Sequence, residues 1–256
     1  MALAAAENWV SDPWELDYLL DVFPAGCFCS RDNNGEAVGF VTATIHNNSG
    51  WIGNLIVDAE CRGNGIGKAL FLKTMLALRE EGAGTIWLTA SVSGKPLYAK
   101  YGFRTIDTIN RWVGEGRGNH SAIIGNGRTA VNSSLDKLGW GDERYPLLHT
   151  VSRRGFVQAE ADAFAVLQPY GEALQLGPWA AMEKVSANRI LNAVMEMVPA
   201  GIKVFCDAPA GNCVVAGQLA TYGFTVQGSN ELMYSGMLPD YRPKYIYGLA
   251  TMGSCG

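Results

Sequence analysis

The sequence predicts a mixed α/β (α+β) protein built from two copies of one domain, and three observations carry that expectation. Strand-like and helix-like segments alternate through the first 113 residues. The same order returns after about residue 135. One short segment also recurs, Tyr98-Ala-Lys-Tyr-Gly-Phe103 against Leu219-Ala-Thr-Tyr-Gly-Phe224. The spacing, about 120 residues, is far longer than the unit of a stacked-repeat protein. A chain of 256 residues suffices for two domains, and 48% hydrophobic against 17% charged residues gives each a core to bury.

The boundary falls where composition shifts. Residues 114–134 are rich in Gly, Asn and Ser and show neither helical nor strand periodicity. A loop of that length inside one domain is unusual, so it reads as a linker between a domain over 1–113 and another over 135–256.

Each element has a local reason. Ala2 to Leu20 reads as helical, with Ser11 as N-cap and Pro13 just inside. Ala25–Arg31 and Ala37–Ile45 read as strands around the turn Asp32-Asn33-Asn34-Gly35. After a second turn at His46–Gly50 comes an apolar strand, Trp51–Val57, and then a glycine loop. Leu70, Phe71, Met75 and Leu78 recur at helical spacing and predict a helix over Gly67–Glu81, ended by Gly82 and Gly84. Thr85–Ala90 is a buried strand, Lys95–Lys100 a short helix stopped at Gly102, and Arg104–Val113 a strand.

In the second half the predicted strands are Gly155–Gln168, Glu172–Leu176, Ile202–Asp207, Thr225–Met237 and Lys244–Met252. Its helices are Ser186–Val198, stopped by Pro199 and Gly201, and Asn212–Tyr222, stopped by Gly223. Gly53-Asn54-Leu55 matches Gly177-Pro178-Trp179 across the repeat.

Composition excludes several partners. A net charge of −4 offers no basic surface to nucleic acid or to an anionic membrane. No run nears the roughly 18 apolar residues of a membrane span, and the start lacks a signal-peptide pattern. Six cysteines without a CxxC pair, and three histidines, fit a reduced, cytoplasmic chain with no metal site.

The informative stretch is Trp51–Leu70, where a strand runs into Gly63, Gly65 and Gly67 and a helix begins. Bare glycines let successive amides converge, and the helix start adds unsatisfied donors and its positive dipole end. Together they make a cradle for a pyrophosphate. A Walker A loop needs four residues between Gly and Gly-Lys, whereas Gly63 and Gly67-Lys68 enclose three. The dinucleotide fingerprint needs glycine where Lys68 stands.

The pattern present is Arg62-x-x-Gly65-x-Gly67, with Tyr98 four residues before Gly102-Phe103. This resembles the coenzyme A loop and tyrosine of the GNAT superfamily of acyl-CoA-dependent N-acetyltransferases, over roughly residues 5–113. The resemblance implies a splayed, mostly antiparallel sheet flanked by helices in each copy, with acetyl-CoA as cosubstrate and no metal. The loop residues Arg62, Gly63, Asn64, Gly65, Ile66, Gly67 and Lys68 would hold the pyrophosphate. Leu55, Ile56 and Val57 would pair with the pantetheine arm where two strands splay, and Tyr98 would protonate the leaving thiolate.

Two departures stand out. Many members carry a carboxylate on the strand before the loop, where this chain has Gly53 and Asn54, with Asp58 and Glu60 too close to the loop to replace it. The family's usual first strand is missing ahead of the opening helix. The second copy has no glycine loop, with Ala180-Ala-Met-Glu-Lys-Val-Ser-Ala-Asn-Arg189 in its place. This resembles tandem members with one degenerate copy.

The expected function is therefore acetyl or short-acyl transfer from acyl-CoA to a small-molecule or peptide amine by direct attack, with a homodimer left open. The alternative is a non-catalytic acyl-CoA-binding or regulatory module. The second copy is expected to wall the acceptor pocket and to be a source of the missing carboxylate. Trp51, Trp87 and the Cys27-x-Cys29 pair read as packing, Asp207–Asn212 as a turn, and Arg153-Arg154 as a solvated edge.

Overall fold

The computed structural model describes residues 2–6, 12–118 and 131–256. A short helix α1 (Ala2–Ala6) precedes α2 (Pro13–Val22). The α2 cap is Asp12, whose side chain accepts from the Trp14 amide at 3.2 Å. The expected cap, Ser11, lies outside the described residues. A 3-10 turn at Pro24–Gly26 takes up the start of the first predicted strand, leaving β1 (Phe28–Arg31). Then follow β2 (Ala37–Ile45), β3 (Ser49–Val57), α3 (Ile66–Glu80), β4 (Thr85–Ala90), α4 (Lys95–Lys100) and β5 (Arg104–Glu115).

The second half opens with two helices that the sequence reading did not name, α5 (Ser133–Trp140) and α6 (Tyr145–Arg154). Asn132 caps α5 by accepting from the Leu135 amide at 3.1 Å. The predicted strand at 155–168 is two strands, β6 (Phe156–Ala159) and β7 (Ala163–Tyr170), divided by a polar turn. Next come β8 (Ala173–Ala181), α7 (Lys184–Met197), β9 (Lys203–Pro209), α8 (Val215–Thr221) and β10 (Thr225–Gly236). Of the strand expected at 244–252 only β11 (Ile246–Gly248) is extended, because the chain then folds back through Gly253 at a φ of 101°. Of the linker span, Gly114 and Glu115 belong to β5, 133–134 open α5, and 119–130 lies outside the described residues.

The two halves share one eleven-stranded sheet, ordered β1-β2-β3-β4-β10-β5-β9-β8-β7-β6, with β11 on β8. The two last long strands are exchanged. β10 of the second half pairs with β4 from Glu231↔Ala90 to Gly236↔Thr85. β5 of the first half pairs with β9 from Ile109↔Pro209 to Glu115↔Lys203. Neither half therefore completes its own sheet. Among the described strands β3–β4 and β8–β9 run parallel and the other pairs antiparallel.

Side chains tie the halves as firmly as the ladder does. Trp51 and Trp87, both buried, stack with centroids 6.2 Å apart, and Trp140 of α5 meets them edge-on at 5.7 and 5.8 Å. Beside them Arg144 forks onto Asp136 at 2.9 and 2.6 Å and lies 4.5 Å over the Trp140 ring. A buried ion pair is tolerated when its geometry is bidentate and its charge is spread in this way. The Asp142 carboxylate accepts from Ser49 Oγ at 2.7 Å and from the Asn48 amide at 3.0 Å. Among the described residues no helix is long and apolar enough to cross a membrane, and no group of three or more His, Cys, Asp or Glu is placed to hold a metal ion.

Candidate active site

β3 and β4 pair in parallel only from Ser49↔Thr85 to Ile52↔Leu88 and then part. A bulge in β3 drives the divergence: Thr42 faces Gly53 while Phe40 faces Ile56, so Asn54 and Leu55 stand against a single residue of β2. Asn54 has a φ of 52°, and its amide donates to Thr42 Oγ1 at 3.1 Å. Asn tolerates this backbone better than most residues, which explains a polar side chain at position 54 of an apolar strand.

The glycine loop sits at the surface beyond the end of β3. Gly65, at a φ of 79°, is the N-cap of the 15-residue helix α3, and Gly63 has a φ of 83°. A Cβ at either would meet nothing within 4 Å, so open space faces both. The Ala69 amide bonds to the Gly65 carbonyl at 2.9 Å, which leaves the amides of Ile66, Gly67 and Lys68 in the first turn for a ligand. Asn64 Nδ2 donates to the Cys61 carbonyl at 3.2 Å, and Arg62 Nε to the Val57 carbonyl at 3.0 Å, both bracing the loop. Lys68 is exposed, and the first turn of α3 holds no acidic residue. These are the features a pyrophosphate needs: bare amides, a dipole end and no opposing carboxylate.

A cavity of about 290 Å³ opens at the divergence. Leu55 and Tyr98, both expected at the site, line it, whereas Ile56 is buried toward the core and Val57 packs beside it. Tyr98 lies on α4 against Phe71 and Phe103, with centroids 5.2 and 6.1 Å away. Burial pushes its phenol up to about 12, so it stays protonated at neutral pH.

Sequence reasoning missed two carboxylates in this cavity, Asp12, which caps α2, and Glu15 of α2. The side chains of Ser254 and Asn54 lie near Glu15, which has no ion-pair partner among the described residues. Burial raises its carboxyl above the ordinary range, against the opposing effect of those two polar neighbours. A signal was present, since Glu15 shares the buried face of α2 with Tyr18 and Leu19 at i+3 and i+4. A buried carboxylate with a perturbed pKa in a cleft is a candidate site residue. The second half was expected to be a source of a carboxylate; the carboxylates that line the cavity are Asp12 and Glu15, both of the first half.

The second half does form a wall. Tyr170, Asn230, Met252, Gly253 and Ser254 all line the cavity. The Gly253 carbonyl accepts from Trp51 Nε1 at 3.0 Å and from Thr89 Oγ1 at 3.1 Å, which pins this segment across the parting strands. Asp207, expected in a turn, is a buried residue of β9 whose carboxylate takes Arg111 Nε at 2.8 Å and Nη2 at 2.7 Å. Arg154, expected in solvent, is largely covered and pairs with Asp12 at 3.2 Å.

The matching opening in the second half is filled by the chain itself. β8 and β9 pair only at Leu174↔Val204 and Gln175↔Phe205. β11 then lies against β8, and the Leu249 amide donates to the Asp207 carbonyl at 2.8 Å. Buried Leu219 stands where Tyr98 stands in the repeat, and Arg189 of α7 is engaged by Glu160. The bulge here spans Gly177 and Pro178, one residue out of step with the match made on letters alone.

Comparison with known proteins accords with this geometry. A family model described as the acetyltransferase (GNAT) family matches residues 3–103, and one described as an acetyltransferase (GNAT) domain matches residues 133–248. Comparison with the curated proteins finds no match. Among solved structures, the chain is similar to a putative acetyltransferase from Pyrococcus horikoshii, with a TM-score of 0.81 and 22% identity over 94% of this chain and 84% of that one. A GCN5-related N-acetyltransferase from Sphaerobacter thermophilus gives 0.55 at 14% identity, over 88% of this chain and 83% of that one. A putative acetyltransferase from Thermoplasma acidophilum gives 0.56 at 13%, over 86% and 84%. At these identities the likeness is one of fold. With both halves matched, and with a glycine-capped helix beside parting strands, the chain belongs to the GNAT acetyltransferase family, whose chemistry is acyl transfer from acyl-CoA, and carries two of its domains in tandem.

Proposed function

We propose that this protein transfers an acetyl or other short acyl group from acyl-CoA to a primary amine by direct attack. The observation that carries the reading is that Glu15 and Tyr98 line one cavity at the parting of β3 and β4. The loop from Arg62 to Lys68 holds the pyrophosphate, and the β3 backbone at Leu55–Val57 guides the thiol arm toward Tyr98. Glu15 takes a proton from the incoming ammonium. The neutral nitrogen then attacks the thioester carbonyl, and as the C–S bond breaks the Tyr98 hydroxyl gives its proton to the thiolate; the second proton, shed by the nitrogen as it becomes an amide, restores Tyr98, and Glu15 releases the first to solvent. Holding both reactants in one cavity supplies much of the rate, because no covalent intermediate on the protein is needed.

The second half contributes walls and no second cosubstrate site, since among the described residues α7 starts after Glu183 rather than a glycine loop and β11 lies against β8. The test is release of free thiol from acetyl-CoA in the presence of a mixed panel of primary amines. Amine-dependent release supports the reading. Binding of acetyl-CoA without any amine-dependent turnover identifies a non-catalytic acyl-CoA-binding module instead.

A further inference from the structure

The cavity presents two opposite charges, and acyl transfer to an amine requires only one of them. Glu15 marks the end at which an ammonium is received. Arg111, on β5, lines the same cavity. Its Nε and Nη2 are committed to Asp207, and Nη2 also donates to the Met252 carbonyl at 3.1 Å. Nη1 takes no hydrogen-bond partner among the described residues. The pair is lopsided: Asp207 is 4% exposed while Arg111 is 33% exposed. The side of the guanidinium turned from Asp207 therefore meets the cavity. Burial works against the charge of Arg111, but Asp207 overrides it and Tyr170 and Glu15 add to the effect, so the guanidinium stays charged. The other carboxylate in the lining, Asp12, is already paired with Arg154.

We propose that the acceptor is a small zwitterion, a free amino acid or close analogue, whose ammonium docks at Glu15 and whose carboxylate is held by Nη1 of Arg111. The proposal rests on the amine-acyltransfer reading and narrows its substrate class. Size agrees, since about 290 Å³ is at the small end of ligand pockets and must also admit the thioester near Tyr98 and Leu55. The one guanidinium nitrogen left over by Asp207 offers a single charge-assisted hydrogen bond, enough for one oxygen of a carboxylate. Because Asp207 already neutralises most of the guanidinium charge, discrimination is moderate. A charge-assisted hydrogen bond of about 1.5–3 kcal/mol corresponds to roughly 10- to 150-fold.

The test uses the full chain, acetyl-CoA and matched pairs: free L-amino acids, each against the primary amine lacking its α-carboxylate. The expected result is a kcat/KM at least tenfold higher for the amino acid of the preferred pair, with the difference mainly in KM. In Arg111→Gln that ratio collapses toward one. If the variant does not fold, the wild-type ratio decides alone. Amines turned over as well as or better than their amino acids overturn the zwitterion assignment and leave amine acylation standing. No turnover of either set overturns both.

Discussion

Gly53 lies directly against the backbone of Ser254, so that a Cβ on Gly53 would meet the Ser254 carbonyl oxygen at 2.3 Å. The contact joins the bulge of the first half to the segment that closes the second. It also explains the absence of a carboxylate at this point of β3: the space for a side chain is filled by backbone. Gly53→Ala should therefore destabilise the protein by roughly 1–3 kcal/mol, as overpacking does. Denaturant unfolding that matches the wild type would show that the 252–254 segment does not sit there.

Glu15 sets the sign of two pH effects. As the base it must be ionised, so kcat/KM should fall as pH drops through a value raised above the ordinary carboxylate range. Glu15→Gln should lose about 10²–10⁴ in rate and the acid limb with it. For stability, a carboxyl whose folded pKa is raised contributes fully below its unfolded pKa, and that contribution is lost as pH rises through the folded value. Glu15→Gln, which resembles the protonated form, should therefore unfold at a higher temperature than the wild type near pH 8 and at a similar one near pH 4, by calorimetry at about those two values.

Tyr98→Phe should slow the acyl-transfer step by about 10²-fold or more while leaving acetyl-CoA affinity within a few-fold. With its phenol pushed up to about 12, Tyr98 is a donor throughout the working range, so no alkaline limb near neutrality should belong to it. Single-turnover rates equal to those of the wild type would assign the proton to solvent.

Gly67 is the loop glycine best suited to a clean test, since a Cβ there meets only Val57 Cγ2 at 3.4 Å and its φ is not left-handed. Gly67→Glu should raise the Kd for coenzyme A at least tenfold, about 1.4 kcal/mol, by placing a carboxylate at the helix start. Unchanged calorimetric binding would move the pyrophosphate elsewhere.

Much of the fold is legible from local physics. Helix α3, strand β4 and helix α4 follow from apolar periodicity bounded by glycines, and their limits lie within a residue of expectation. The loop pattern and Tyr98 were legible because they depend on spacing along the chain. Arg111 and Ser254 were not, since residues far apart in sequence converge there through the exchange of β5 and β10 and the path after β11, while Glu15 left only the mark of its place on the apolar face of α2. Helices α5 and α6 were overshadowed by the glycine-rich stretch before them, although Asn132 and Pro146 mark both starts.

Residues 1–113, read from sequence as a domain of their own, are expected from the structure to fail as a monomer. Such a fragment leaves β4 without β10 and β5 without either neighbour. It should be insoluble or lack cooperative unfolding, and co-expression with residues 114–256 should recover soluble protein and thiol release. A fragment that unfolds cooperatively by itself would show that the exchange is dispensable.

The same exchange governs how the chain comes into being. Ala90 leaves the ribosome on the order of ten seconds before its partner Glu231, at ordinary rates of synthesis. Throughout that interval the β4 edge has nothing to pair with, and the glycine loop hangs from a sheet that is still open. The contacts that end this wait are among the most distant in sequence, which makes assembly slow relative to a helical or single-copy domain. Completion of the cavity is thus tied to completion of the second half, which walls it.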